Sequence, residues 1–348
     1  MANINSHFVH NKFKLNGFHM NEDDLCRVAY SFIKEGEAYE RAVGDFILYW
    51  FDQNDYIEMQ TSGTTGQPKI IRVGKQSMVN SALATGSFFE LEAGIKVLHC
   101  LPTQFVAGKM MLVRAFILGW DMDLVAPASN PLQRTSTKYD FAAMVPLQAE
   151  KSIDKLCQIA KLILGGAKVN QSLSQQLSEI PTQIYETYGM TETITHIAAK
   201  RVGEQAFTLL PDVAISVDDR HCLVIDAHKV SNEPVVTNDV VEIVNDNQFI
   251  WRGRHDNVIN SGGVKLFPEQ IEEKLSGAIG RRFFVKGVPD ETLGEKLVLV
   301  IEGDRYDVDR EIFSALGKFE KPKEIEFVAE FEETGTGKIV RGKNFIES

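Results

Sequence analysis

The first 54 residues carry apolar side chains at helical spacing, which predicts two helices at the start of the chain. Asn21 can cap the first helix, and the acidic residues that follow it suit the positive end of the helix dipole. Apolar residues then recur every three or four positions: Leu25, Val28, Ala29 and Phe32. A second helix is predicted over residues 37–50.

From residue 55 the pattern changes to short apolar runs that alternate with helical stretches. The predicted strands are 56–59, 96–101, 123–126, 141–145 and 161–164. The predicted helices are 76–89, 108–118 and 173–177. Such alternation indicates a layered α/β domain with a mostly parallel sheet, whose ligands collect beyond the carboxyl ends of the strands.

Beyond about residue 202 the apolar runs become shorter, and they include a hairpin over 240–244 and 249–251. The tail is then predicted to form helices over 268–275 and 308–316, and strands over 283–285, 297–301 and 324–328. We therefore expect a large α/β domain over residues 1–253 and a small α+β domain over 254–348.

Composition narrows the class of protein. Hydrophobic residues make up 44% of the chain and charged residues 24%, as in ordinary globular proteins. The net charge of −11 excludes a strongly basic nucleic-acid binder. The sequence has no signal-peptide pattern and no apolar run of the roughly 18 residues that a membrane helix needs. Because its four cysteines lie far apart, we expect a cytoplasmic protein with reduced thiols.

One segment between two predicted strands is typical of a polyphosphate-binding loop. It reads Thr61-Ser62-Gly63-Thr64-Thr65-Gly66-Gln67-Pro68-Lys69. Glycines let the backbone approach a ligand, hydroxyl groups donate hydrogen bonds, and the lysine adds positive charge. It is not a P-loop of the Walker type, because Pro68 stands where that motif has its second glycine. The alternative is a hairpin loop rich in small residues.

This segment resembles the phosphate loop of the adenylate-forming superfamily, which includes acyl-CoA ligases, luciferases and peptide-synthetase adenylation domains. Further blocks of that superfamily follow in order, and the resemblance spans about residues 55–341. They are Gly165-Gly166-Ala167, Tyr185-Glu186-Thr187-Tyr188-Gly189-Met190-Thr191-Glu192, Thr237-Asn238-Asp239, the segments 253–259 and 268–272, and Thr334-Gly335-Thr336-Gly337-Lys338.

The resemblance implies a role for each block in binding ATP. Gly165, Gly166 and Ala167 form the adenine-side loop, and Thr187, Tyr188 and Gly189 continue that surface. Thr191 contacts a phosphate, and Glu192 is an oxygen ligand for Mg²⁺. Asp239 contacts the ribose hydroxyl groups, and Arg254 contacts the ribose or a phosphate. Without the resemblance, Glu192 is a solvated acid, Asp239 a turn residue, and Arg254 half of a surface ion pair.

Other blocks imply a moving C-terminal lid. In the resembled superfamily, the residue at Asp256 is the hinge of the small domain. Gly262 and Gly263 match glycines past which the pantetheine of coenzyme A is threaded. Lys338 matches the lysine that stabilises charge during adenylation. Without the resemblance, it is an exposed lysine.

Two sequence segments indicate which acid is the expected substrate. The segment from Tyr188 through His196 and the helix containing Lys109 and Arg114 resemble o-succinylbenzoate–CoA ligases, a branch of the superfamily. Their substrate has a second carboxylate, which calls for a cation. Arg114 is the first candidate, and Lys109 and His196 are secondary ones. The alternative for Arg114 is an internal ion pair with an acid such as Asp123.

The resemblance therefore implies an AMP-forming acid–CoA ligase that uses ATP, Mg²⁺, coenzyme A and a small carboxylic acid, o-succinylbenzoate in particular. It implies no nucleic-acid partner and no membrane span. Two alternatives stay open: a ligase for another aryl or medium-chain acid, and a non-catalytic nucleotide-binding relative. The region before the phosphate loop is shorter than is usual in the superfamily, and the sequence does not indicate an oligomeric state.

Overall fold

A computed structural model describes residues 4–60, 70–332 and 339–341 of the chain. Within these ranges the α-helices are Glu22–Glu35 (α1), Ala38–Trp50 (α2), Lys75–Phe88 (α3), Val106–Leu118 (α4), Pro146–Lys151 (α5), Gln171–Ser178 (α6) and Pro268–Leu275 (α7). In the part of the chain so described, no helix combines the length and the apolar character needed to cross a membrane.

The strands of the first 201 residues are Lys14–Leu15 (β1), Phe18–His19 (β2), Tyr56–Gln60 (β3), Ile70–Gly74 (β4), Lys96–His99 (β5), Asp121–Leu124 (β6), Tyr139–Met144 (β7), Ile159–Leu164 (β8), Gln183–Gly189 (β9) and His196–Arg201 (β10). The later strands are Ala206–Leu209 (β11), Ala214–Val217 (β12), Cys222–Asp226 (β13), Val235–Asn245 (β14), Gln248–Arg254 (β15), Ile259–Ser261 (β16), Val264–Leu266 (β17), Phe283–Asp290 (β18), Gly294–Glu302 (β19) and Glu324–Val328 (β20).

One large mixed sheet organises residues up to 254. Among the described residues it has 13 strands in the order β12-β13-β14-β15-β11-β10-β9-β8-β7-β5-β6-β1-β2. Parallel pairing joins β1, β6, β5, β7, β8 and β9, and antiparallel pairing extends the sheet from β9 to β12. The α/β class predicted from the sequence is confirmed, and its parallel part is the segment with alternating strands and helices.

The parallel strands are buried on both faces. Val97 and Phe141 point into a core cluster shared with α1, α2, α3 and α4, whereas the next residues, Leu98 and Ala142, belong to a second cluster shared with α5 and α6. Successive side chains of a strand point to opposite faces, so this alternation identifies a three-layer arrangement. Each such fully buried large apolar side chain contributes about 1.5–3 kcal/mol.

The N-terminal segment contains two short strands in addition to the helices that its periodicity predicts. Asn21 caps α1 as expected, because its side chain accepts a hydrogen bond from Asp24 N–H at 3.0 Å. Ahead of that helix, β1 pairs in parallel with β6 and extends the edge of the large sheet. A two-residue strand has too short a pattern to be detected from periodicity. Another prediction was wrong in type: the helix expected over 308–316 is a 3-10 helix at Arg310–Ala315.

The strands on either side of the segment 61–69, β3 and β4, pair in antiparallel fashion, with Gln60 opposite Ile70. The loop itself, residues 61–69, lies outside the described residues. β16 to β20 form a separate sheet with its own apolar core around α7. The division into domains at residues 253 and 254 stays a prediction.

His99 ends β5 in the core, where only 3% of its surface is exposed. Its Nε2 lies 3.2 Å from Thr103 Oγ1, and burial lowers the pKa of the imidazole from 6.5 to about 4. The folded protein therefore keeps His99 neutral at pH values where the unfolded chain protonates it. Stability linked to this residue is present above pH 6.5 and is lost as the pH falls toward 4.

We predict that replacing His99 with Gln reduces the acid sensitivity of the fold. Between pH 7.5 and pH 5 the buried imidazole alone lowers the free energy of unfolding by about 2 kcal/mol. Urea unfolding at the two pH values measures this loss in the wild type and in His99→Gln. His228→Gln, at an exposed histidine, is the control. An equal loss in the wild type and in His99→Gln would contradict the assignment.

Candidate active site

A cavity of about 720 Å³ opens beyond the carboxyl ends of the parallel strands. Met144 and Val145 line it at the end of β7, Gly165 and Gly166 after β8, and Gly189 at the end of β9. Carboxyl ends of parallel strands are where α/β sheets collect their ligands. The cavity is therefore the candidate active site.

Many residues selected from the sequence line this one cavity. They are Arg114, Gly165, Gly166, Thr187, Tyr188, Gly189, Thr191, Glu192, His196, Asp239 and Arg254. Residues selected from the sequence that do not line it are Lys109, Ala167, Asp256, Gly262 and Gly263. Those outside the described residues are Thr61, Ser62, Gly63, Thr64, Thr65, Gly66, Lys69 and Lys338.

Asp239 is held in a fixed orientation by its neighbours. Tyr188 O–H donates to its Oδ2 at 2.7 Å, and Trp251 Nε1–H donates to its Oδ1 at 3.2 Å. Burial, and then the negative charge of Asp239, raise the pKa of Tyr188, so the phenol keeps the proton that it donates. Each carboxylate oxygen retains further acceptor capacity. Asp239 can therefore accept hydrogen bonds from a pair of ligand hydroxyl groups in the cavity.

Arg254 connects Asp239 to the predicted hinge residue. Its Nη1 lies 3.6 Å from Asp239 Oδ1, and its Nη2 lies 3.1 Å from Asp256 Oδ2. Asn238 Nδ2 also donates to Asp256, at 3.2 Å to Oδ2. Asp256 is therefore held by side chains of β14 and β15, Asn238 and Arg254.

A sharp turn brings the end of β9 against the start of β10. A Cβ atom on Gly189 would lie 2.2 Å from the carbonyl oxygen of Thr195 and 2.5 Å from the Cα atom of His196. Only glycine permits that approach. Ile194, in the turn, has φ 66° and ψ −58°, and Thr195 N–H donates to Thr193 O at 2.7 Å. This is a γ-turn, a strained conformation for a β-branched residue.

Arg114 is a buried cation without an acidic partner in the described ranges. Its side chain projects from α4 and is 1% exposed. Its Nε donates to Thr85 Oγ1 and its Nη2 donates to Thr195 Oγ1, each at 3.3 Å. Burial lowers the pKa of Arg114 to about 9, which leaves the guanidinium charged at neutral pH.

The alternative of an ion pair between Arg114 and Asp123 is wrong. Asp123 Oδ1 lies 2.5 Å from Lys96 Nζ, and its Oδ2 accepts a hydrogen bond from Tyr139 O–H at 3.3 Å. Lys96 and Asp123 lie on the adjacent parallel strands β5 and β6. Strand pairing therefore brings the aspartate to a lysine of the sheet, while Arg114 faces the cavity.

His196 completes a ring of hydrogen bonds with Arg114. Its Nε2 lies 3.3 Å from Thr85 Oγ1, and its Nδ1 lies 3.3 Å from Thr195 Oγ1. Because Thr85 O–H already donates to Ser81 O at 3.0 Å, we assign the Nε2–H tautomer, with Nδ1 accepting from Thr195. Desolvation, and then the charge of Arg114, hold the pKa of His196 well below 6.5. The imidazole is neutral and supplies no charge to a ligand.

Lys109 and the glycine pair have local structural explanations. Lys109 Nζ donates to the carbonyl oxygen of Gln104 at 2.7 Å, away from the cavity lining. Gly262 and Gly263 connect β16 to β17 with φ values of 59° and 81°. A two-residue hairpin turn with positive φ at both positions requires residues that adopt positive φ readily. The positive φ values of the turn alone are enough to favour glycine at both positions.

Several residues that position the site were not selected from the sequence. Thr85 lies within α3, where its hydroxyl contacts both Arg114 and His196. Its one signal is a polar pair four residues apart, Ser81 and Thr85, both buried on this helix. Trp251, which orients Asp239, has no sequence signal, because the two residues meet through the pairing of β14 with β15.

The described residues fit a magnesium ion only if a ligand supplies most of the coordinating oxygens. They contain no cluster of three or more acidic, histidine or cysteine side chains that could hold a metal. Glu192 is exposed and lines the cavity. Mg²⁺ is commonly bound by one or two carboxylates together with substrate phosphates, which is the arrangement that one glutamate allows.

Known proteins resemble this chain over most of its length. A Staphylococcus aureus (strain MSSA476) protein named 2-succinylbenzoate–CoA ligase is 26% identical over 361 residues, which cover 92% of this chain and 73% of that protein. An O-succinylbenzoate coenzyme A synthetase from Bacillus subtilis, solved with ATP and magnesium ion, has a TM-score of 0.71 at 18% identity. That match covers 82% of this chain and 68% of the other, and it supports the fold.

Another protein of known structure is more similar in sequence and has a similar length. It is an acyl-CoA synthetase (AMP-forming)/AMP-acid ligase II-like protein from Dyadobacter fermentans DSM 18053, with 37% identity and a TM-score of 0.62. The match covers 90% of this chain and 96% of that chain. The family of AMP-binding enzymes matches residues 51–244, more than half of the sequence. The chain therefore belongs to the AMP-binding enzyme family.

Proposed function

We propose that this protein is an AMP-forming acid–CoA ligase and that its acid is a dicarboxylate of the o-succinylbenzoate type. The observation that carries the proposal is a single cavity lined both by the nucleotide-binding residues selected from the sequence and by the buried cation Arg114. The similarity to proteins named 2-succinylbenzoate–CoA ligase supports the same substrate.

In the proposed first half-reaction, a carboxylate oxygen of the acid attacks the α-phosphorus of ATP. The bond to the bridging oxygen breaks, and pyrophosphate leaves with that electron pair. Gly165 and Gly166 bind on the adenine side, and Asp239 accepts hydrogen bonds from the ribose. Lys338 and the 61–69 loop, both outside the described residues, stabilise the negative charge that develops on the phosphoryl oxygens.

Glu192 and the substrate phosphates hold Mg²⁺ in this proposal, and the ion neutralises phosphate charge when it is bound. Thr191 hydrogen-bonds a phosphate oxygen beside it. Thr187 contributes to the shape of the nucleotide surface more than to hydrogen bonding, since its hydroxyl already donates to Leu164 O at 2.9 Å.

In the proposed second half-reaction, the sulfur of coenzyme A attacks the carbonyl carbon of the acyl-adenylate, and AMP leaves. Rotation of the C-terminal segment about Asp256 exchanges Lys338 for the hairpin turn at Gly262 and Gly263. The contacts of Asp256 with Arg254 and Asn238 are the ones that such a rotation must rearrange.

The dicarboxylate follows from the electrostatics of Arg114. An isolated buried charge costs several kcal/mol, and a neutral hydroxyl offsets only part of that cost. A carboxylate on the ligand supplies the missing counter-charge and can accept two guanidinium hydrogen bonds. His196 is neutral and Lys109 bonds to Gln104, so Arg114 is the cation that we assign to the distal carboxylate.

We predict that the purified protein catalyses acid-dependent exchange of pyrophosphate into ATP, with o-succinylbenzoate as the best acid in a panel that includes benzoate and octanoate. Lys338→Ala should lower the rate about 100-fold or more, because the stabilising charge on the transferred phosphoryl group is lost. Lys321→Ala, at an exposed lysine of the same C-terminal segment, is the matched control.

The other outcomes of this assay select among the alternatives. Preference for benzoate or octanoate would assign a ligase for a simple acid. Absence of exchange with every acid would instead support a nucleotide-binding relative without ligase activity. A full exchange rate in Lys338→Ala would contradict the mechanism.

We further predict that Arg114→Met separates recognition from stability. Loss of the buried cation should raise the KM for o-succinylbenzoate by about 30-fold or more, as expected for one partner of a buried charge pair. The melting temperature of the free protein should stay the same or rise, because methionine removes an uncompensated charge at similar volume. Arg134→Met, at an exposed arginine, is the control. An unchanged KM would contradict the role of Arg114.

A further inference from the structure

A second cavity lies behind the ring of hydrogen bonds formed by Arg114, Thr85, His196 and Thr195. Its volume is about 410 Å³, and it lies between α3 and the segments around Leu210 and Val230. Its apolar lining includes Leu83, Ala84, Ile197, Leu210, Val213 and Val230. An ion pair between Lys229 and Asp212, with 2.7 Å between Nζ and Oδ2, lies at its exposed rim.

His196 lines both cavities. Its neighbours divide between the two sides, because Thr193 lines the second cavity while Ile194 and Thr195 line the active-site cavity. The imidazole is 6% exposed and both of its nitrogens have hydroxyl partners, Thr85 on α3 and Thr195 on the strained turn. The imidazole of His196 is therefore held from two sides, and it separates the active-site cavity from the second, mostly apolar cavity.

We propose that His196 is a specificity-determining wall, which closes the acid end of the active site and sets the longest acid that the protein accepts. The inference rests on the proposed ligase function and gives His196 a steric role. If an acid is short enough to end at the imidazole of His196, the hydrogen bonds around Arg114 all stay in place. A longer acid must displace the imidazole of His196, which its contacts with the hydroxyl groups of Thr85 and Thr195 hold in place.

The turn at Ile194 is part of the same wall. The γ-turn directs Thr195 Oγ1 to both Arg114 Nη2 and His196 Nδ1. Gly189 allows the backbone of residues 195 and 196 to approach β9. Strain of this kind persists where the surrounding structure determines the conformation, and here it fixes the position of a side chain that separates two spaces.

The test is the acid-length profile of His196→Ala. We expect kcat/KM for pyrophosphate exchange with decanoate, relative to butanoate, to rise at least about tenfold over the wild-type ratio, since the added methylenes enter an apolar space. His196→Gln is the matched control: its amide can bond to the same hydroxyl groups and still fills the gap. That variant should keep the wild-type profile.

A second substitution shows where the longer acid goes. Ala84→Phe fills the second cavity from α3, at a residue that has no part in the active site. It should leave the wild-type profile unchanged and should abolish the gain of His196→Ala in the double variant. A gain that survives Ala84→Phe would mean that His196→Ala merely loosened the active site, and it would overturn the proposal. An unchanged profile in a folded His196→Ala protein would overturn it as well.

Binding of the same acids, followed as a shift in melting temperature, separates this inference from the ligase function. If the wild type catalyses no exchange but His196→Ala alone is stabilised by decanoate, the ligase proposal is wrong and the steric role of His196 is supported. If exchange is observed, and neither the acid-length profile nor the melting-temperature shift depends on His196, the steric role of His196 is wrong and the ligase proposal is supported. Should His196→Ala not fold, His196→Ser, which keeps a hydroxyl group for Thr195, gives the same reading.

Discussion

The proposed acid site depends on one buried charge, the guanidinium of Arg114, which the described residues surround with hydroxyl groups and no carboxylate. Burying an ion costs several kcal/mol, and neutral hydrogen bonds offset only part of that cost. The free protein is therefore less stable at this position than an apolar core would be. In the proposed function, a carboxylate on the ligand removes that deficit, and the charge is the means by which we propose that diacids are selected.

The surrounding backbone is arranged to keep this charge in place. Gly189 permits β10 to start against β9, and the γ-turn at Ile194 positions Thr195 beside Arg114. On the other side, Thr85 of α3 contacts both Arg114 and His196. Elements that are far apart in sequence thus meet at one polar ring, and the apolar layers of the large sheet supply the rigidity that this ring needs.

Local patterns of the sequence determined much of the fold. The cap at Asn21, the alternation of strands and helices, and the hairpin of β14 and β15 were predictable, because each depends on residues close together in the chain. The residues that we propose bind the nucleotide were recognisable through ordered motifs. The lack of an acidic partner for Arg114 among the described residues was not predictable, because Asp123 is paired with Lys96 through the adjacency of β5 and β6. The roles of Thr85 and Trp251 likewise follow from tertiary contacts that no local spacing encodes.

The central claim is that Arg114 lacks a counter-charge until an acid with a second carboxylate binds. Calorimetric titration of the wild-type protein, in the presence of magnesium and the α,β-methylene analogue of ATP, which blocks adenylation, compares o-succinylbenzoate with its monomethyl ester at the aromatic carboxylate and with its monomethyl ester at the succinyl carboxylate. We expect the diacid to bind at least about tenfold more tightly than either ester, because each ester removes one of the two charges that the site uses. Equal affinities of the diacid and both esters would contradict the claim.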